Sequence, residues 1–93
     1  MNDGKFEWDD QKAVSNYVKH GVSFETARDA FKDALAIERE DDREDYGEDR
    51  YALIAMVENR LLFVAYTLRN DRIRIISARG AEPHEQREYH EGG

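Results

Sequence analysis

Apolar residues along the chain change their period near residue 50. In the first half they recur at helical spacing. Ala13, Val14, Tyr17 and Val18 fall on one stripe of a predicted helix. Asp9 stands where an N-cap is needed, and Gly21, after His20, suits the left-handed position that stops a helix. Ser23 caps a second predicted helix, whose apolar face is Phe24, Ala27, Ala30 and Phe31. Lys5–Trp8 and Ala34–Ile37 read as short strands on either side of the helices. Residues 39–49 are nearly all charged, with Gly47 as a breaker, and predict a mobile loop. Beyond it the period becomes two, giving strands over Tyr51–Val57, Leu61–Leu68 and Ile73–Ala78. Glu58-Asn59-Arg60 and Asn70-Asp71 are the expected turns, the second a two-residue hairpin turn with positive φ. Pro83 opens a final helix over His84–Tyr89. The order β-α-α-β-β-β-β-α is that of an α+β chain, read as one domain over residues 1–93. The helices are expected to cover one sheet face and leave the other partly open.

The turns set the expected registers. A two-residue turn at Asn70-Asp71 pairs Arg69 with Arg72, Thr67 with Arg74 and Ala65 with Ile76. A three-residue turn at 58–60 pairs Val57 with Leu61 and Tyr51 with Thr67. Cross-strand partners share a face. One face then carries Tyr51, Thr67, Arg69, Arg72 and Arg74, grading into Leu53, Ala65 and Ile76. The other carries Ala52, Ile54, Met56, Leu62, Val64, Tyr66, Leu68, Ile73 and Ile75, and is expected to meet the helices. Clustered guanidinium groups repel one another and are relieved by an anion, which their forked donors bind bidentately. They are relieved equally by pairing with Glu48, Asp49 or the acidic loop, and both readings stand at this point. By parity Arg79 falls on the opposite face, where it either serves the site or clamps the sheet to the final helix. His20 is either an acid–base group or simply part of a helix stop.

Charge sharpens the picture. The chain carries a net −7, which argues against a general nucleic-acid binder. The distribution is uneven, however. Residues 38–50 hold eight acids and three arginines, whereas residues 60–79 hold five arginines and one acid. Screening acts over about 8 Å at physiological salt, so a basic patch framed by acids keeps its local field. There is no cysteine, which excludes disulfides, thiolate metal sites and a cysteine nucleophile. The opening MNDGKFEWDD lacks a signal-peptide core, and no apolar run is long enough for a bilayer. A cytoplasmic location with no membrane partner is the expectation. His84, Glu85 and His90 do not have convincing metal-ligand spacing, and no cofactor motif is present, so no metal and no cofactor are expected.

Several segments together resemble one family. Phe6-Glu7-Trp8-Asp9, Lys12, Asn16 and Lys19-His20-Gly21-Val22-Ser23-Phe24 are followed by Phe31-Lys32-Asp33 and the stretch from Asp45 to Arg50. Tyr66-Thr67-Leu68-Arg69 and the run from Arg72 to Arg79 complete the set. In this order they resemble the BrnT toxins. The resemblance implies a RelE-like fold and a metal-independent endoribonuclease of a type II toxin–antitoxin system. It implies a BrnA-type antitoxin as partner, a dimeric toxin in the complex, and operator DNA reached only through the antitoxin. Catalysis would proceed by attack of the RNA 2′-hydroxyl on the adjacent phosphate. Arg69 and Arg74 are then expected to stabilise charge, and His20 or Lys19 to move a proton if the helix end reaches the open face. Arg79 belongs to the catalytic set with its role open. Arg72, Arg50, Lys12, Tyr51 and Thr67 are expected to bind RNA. The competing class is a non-catalytic module or co-repressor acting within an antitoxin complex on DNA. The tail after Arg79 is more acidic than the resemblance implies.

Overall fold

The computed structural model describes residues 4–41 and 47–92. Its elements are β1 (Phe6–Glu7), α1 (Asp10–His20), α2 (Phe24–Asp29) continued by a 3₁₀ turn (Ala30–Lys32), β2 (Ile37–Glu40), β3 (Tyr51–Val57), β4 (Arg60–Arg69), β5 (Arg72–Gly80) and α3 (Pro83–His90). The architecture is α+β, with a five-stranded mixed sheet ordered β1-β5-β4-β3-β2. β1 runs parallel to β5, and the other pairs are antiparallel.

The helix ends are set by local chemistry. The Asp9 carboxylate accepts from the Gln11 and Lys12 amides at the start of α1, and Gly21 closes it at φ 70°. Ser23 accepts from the Thr26 amide at the start of α2. The segment expected as a strand over Ala34–Ile37 is instead a turn up to Ala36, with Asp33 accepting from the Leu35 amide, and the strand begins at Ile37. That strand takes residues 37–40, so the expected loop starts later. Residues 42–46, including Asp45 and Tyr46 of the family-like stretch, lie outside the described residues.

The two hairpins decide which side chains share a face. At Asn70-Asp71 both residues have positive φ, and Arg69 opposes Arg72 while Thr67 opposes Arg74, as expected. Further along, a bulge leaves Ile76 unpaired, so Ala65 opposes Ser77, not Ile76. The bulge also reverses the parity of the residues beyond it. Arg79 opposes Phe63 and lies on the face of Thr67 and Arg74, not on the opposite one. The β3–β4 turn is two residues, Glu58-Asn59, with φ 49° and 67°, so Val57 pairs with Arg60 and Tyr51 with Tyr66. This slip of one residue turns β3 over. Tyr51, Leu53 and Ala55 face α1 and α2, and Ala52, Ile54 and Met56 share the arginine face.

The main core lies between the sheet and α1–α2. It is built from Phe6, Trp8, Phe24, Ala27, Leu53, Leu62, Val64, Tyr66, Ile75 and Ala78. A second, smaller cluster of Ala52, Ile54 and Phe63 packs with Ile37 and Tyr89 beneath α3. The arginine face is therefore closed at its α3 end and open at the Arg69–Arg72 end. Asp33 ties the layers together, accepting from the Met56 amide and from the Tyr89 hydroxyl. Burial works to raise its pKa, but the bonds from Met56, Tyr89 and Leu35 hold it below the ordinary carboxylate range.

α1 is mounted against the expectation of its sequence. Ala13 and His20 are half-buried and Asn16 is buried, whereas Val14, Tyr17 and Val18 point outward. The cause is Asn16. Its amide donates to the carbonyls of Val22 and Ala78, and its oxygen accepts from the Ala78 amide. β1 covers only Ile73 and Arg74 of β5. Past that point the edge of β5 meets a side-chain amide in place of a neighbouring strand, and the helix is turned to deliver it.

Candidate nucleic-acid interface

Strand alternation brings Thr67, Arg69, Arg72 and Arg74 onto one face at the tip of the β4–β5 hairpin. The arrangement of their partners decides what they can do. Arg69 reaches Glu48 at 3.3 Å, and Arg50 reaches the same carboxylate at 3.4 Å. Arg69 is about half exposed, and an exposed pair of this kind is worth only about 0–1 kcal/mol, so an anion can replace Glu48. Arg74 is held more firmly, with 2.6 Å to Glu7 and both side chains largely covered. Arg72 carries no ion pair among the described residues and is half-buried. Carboxylates thus hold Arg69 and Arg74, as the paired reading of the cluster expects.

Arg79 is committed differently. Its guanidinium forks onto both oxygens of Glu85, at 2.8 and 2.9 Å, and lies over the Phe63 ring at 4.2 Å. Glu85 is buried and also accepts from the Glu82 amide. Burial works to raise the Glu85 pKa, but the Arg79 hydrogen bonds, the Glu82 amide and the charges of Arg79 and His84 hold it low. Arg79 therefore clamps the sheet to α3. Glu82, His84 and Glu85 bring ligand atoms within 4.8 Å of one another. Because the Glu85 oxygens already serve Arg79, this grouping has little left to offer a metal ion.

The remaining sequence-derived candidates are scattered. Thr67 is 2% exposed and donates its hydroxyl proton to the Asp49 carbonyl, so it fixes the approach to β3 and presents no surface to a nucleotide. Tyr51 lies on the helix side, stacked on Tyr66 with ring centroids 5.6 Å apart. It lines a cavity of about 330 Å³ with Phe31, Glu38, Tyr66, Leu68 and Ile73. Tyr66 donates to Glu38, and burial together with that carboxylate pushes its pKa well above the ordinary phenol range. Lys12 is exposed on α1. His20 and Lys19 end the same helix. Asn16 of that helix sits at Ala78, four residues or roughly 13 Å of strand beyond Arg74. His20 is one turn further along α1, which packs on the opposite sheet face.

Sequence reasoning missed Glu7. Its position in a two-residue strand gave no chemical signal. Pairing of Glu7 with Arg74 in the parallel register places a carboxylate directly among the arginines.

A family model for the ribonuclease toxin BrnT of type II toxin–antitoxin systems matches residues 8–85. That span takes in α1, α2 and the whole sheet except β1. No curated protein matches the chain in sequence. The chain belongs to the BrnT family. It is a ribonuclease toxin of a type II system, and such a system includes an antitoxin protein as its counterpart. Among the described residues no helix is long and apolar enough to cross a membrane.

Proposed function

We propose that this toxin cleaves cytoplasmic RNA without a metal ion, at the open end of the sheet face that carries Arg69, Arg72 and Arg74. The observation that carries this reading is the direct opposition of Arg69 and Arg72 across the hairpin, with Arg74 two residues further along the same face. The 2′-hydroxyl attacks the adjacent phosphorus while the P–O5′ bond breaks, leaving a 2′,3′-cyclic phosphate and a 5′-hydroxyl. Arg72 and Arg69 hold the phosphate oxygens, whose charge grows in the transition state. Arg74 orients Glu7, and the Glu7 carboxylate takes the 2′-hydroxyl proton. The 5′-oxygen takes its proton from solvent. Arg50 contributes through the shared Glu48, and Lys12 through the long-range field. Arg79 is a positioning residue.

The β-α-α-β-β-β-β-α order supports a RelE-like assignment for the single domain. A BrnA-type antitoxin neutralises the toxin, as a dimer within the complex, and the complex meets operator DNA only through the antitoxin. The carboxylates on Arg69, Arg74 and Arg79 favour one second reading, a family member kept for binding alone.

Incubating the purified chain with RNA in the presence of EDTA separates the two. The expected result is cleavage to cyclic-phosphate ends, slowed about 10²–10³-fold in Arg72→Ala and in Arg69→Ala, with melting temperature little changed. Intact RNA at high protein concentration would reject the catalytic reading and favour the binding module.

A further inference from the structure

The outward stripe of α1 has no occupant in the fold. Val14, Tyr17 and Val18 are 65%, 58% and 80% exposed. Their i, i+3, i+4 spacing makes them one continuous ridge on the helix surface. Beside the ridge, between α1 and α2, runs a groove of about 410 Å³ floored by Trp8, Ala13 and Phe24. A contiguous apolar surface of this kind on a chain with net charge −7 marks an interaction site. The helix could have turned these residues into the core. It buries Asn16 instead, so the exposed ridge is a consequence of how α1 is anchored, not of poor packing.

We infer that this ridge and groove are where the antitoxin docks, through an amphipathic helix with apolar residues at three- and four-residue spacing and Lys or Arg beside them. The inference rests on the family assignment for the existence of a protein partner, and not on the arginine site. Helix-in-groove binding matches the shape, since a ridge flanked by a furrow accepts apolar anchors at that period. The charge is what selects the partner. The charged groups lining the groove, Asp10 and Glu25, are both acidic. A second copy of this chain seated there would bring the same acids together, whereas a helix with basic flanks is drawn in and held in register. α1 lies across the sheet from Arg69, Arg72 and Arg74, so docking here leaves the cleavage face to be covered by the rest of the antitoxin chain.

The test uses the full toxin and a purified BrnA-type antitoxin, with affinity measured by titration calorimetry. Val18→Glu and the double variant Val14→Glu/Val18→Glu replace exposed residues, so their melting temperatures should match the wild type. Affinity for the antitoxin should fall by about 30-fold or more, as for loss of a central interface anchor. Co-expressed antitoxin should no longer relieve growth arrest, while RNA cleavage by the free variants is unchanged. Wild-type affinity in the double variant would overturn the inference. So would sedimentation showing a free wild-type dimer that the substitutions split without touching antitoxin affinity, since the ridge would then belong to a second copy. If the chain cuts no RNA at all but Val18→Glu still loses the antitoxin, the docking surface stands and the nuclease site falls.

Discussion

Replacing Asn16 with alanine should cost this small domain a large part of its stability. The side chain makes three hydrogen bonds to backbone groups, at 3.0 Å to the Val22 carbonyl, 2.8 Å to the Ala78 carbonyl and 3.1 Å from the Ala78 amide. Val22 and Ala78 are almost fully buried, so truncation leaves one amide and two carbonyls without their partners. An orphaned buried backbone group costs about 1–3 kcal/mol, and water entering the vacated space would recover part of it. A loss of roughly 3–4 kcal/mol is the expected balance, against a total of about 5–15 kcal/mol for a typical domain. Urea unfolding followed by circular dichroism should show the midpoint falling by roughly 1–4 M at an unchanged slope. Asn16→Asp is the informative control. It keeps an acceptor for the Ala78 amide but sets carboxylate oxygens against two carbonyls, so at neutral pH it should do no better than alanine. A loss below about 1 kcal/mol in Asn16→Ala would refute the view that this amide substitutes for a missing strand and fixes the orientation of α1.

Two further outcomes are expected from the same structure. Glu85 has a folded-state pKa held below its unfolded value near about 4.3, so the Arg79 clamp stabilises the protein above that pH and loses its effect as pH falls through the folded value. Urea midpoints of wild type and Glu85→Gln should therefore converge on acidification from neutral pH, and a constant gap would contradict the assignment. Glu58 holds φ 49° in the first position of its turn, a conformation that costs a residue with a side chain about 1–2 kcal/mol. Glu58→Asn should raise the melting temperature by a few degrees in calorimetry, equivalent to about 0.5–1 kcal/mol, and a fall would show that the Glu58 side chain contributes more than its backbone costs.

The parts of the fold that could be read from sequence are those in which one residue type has one local job. Asp9, Gly21 and Ser23 cap where their chemistry says they should, and Asn70-Asp71 makes the turn that sets Arg69 against Arg72. Glu58-Asn59 was harder to read, because glutamate seldom takes positive φ. The resulting slip of one residue turned β3 over and put Tyr51 on the wrong side. The bulge at Ile76 leaves no mark in an alternating run, yet it decides which face Arg79 occupies. The orientation of α1 was hidden for a different reason. Apolar periodicity sends Val14, Tyr17 and Val18 inward, and only the position of Asn16 beside an uncovered edge of β5, a tertiary fact, overrides it. Of the proposed site, the arginine grouping was visible in the strand pattern, whereas Glu7 became visible only through the parallel pairing of β1.

The two ends of the strand order have a bearing on solubility. A sheet limit with free amides and carbonyls invites other chains to add strands and grow fibres. Here β2, the outermost strand on one side, carries Glu38, Arg39 and Glu40, whose charges resist such stacking. The far limit is taken up partly by β1 and partly by Asn16. A partner thus finds no convenient margin to extend. Association is in this way steered toward contacts through side chains and away from aggregation through backbone.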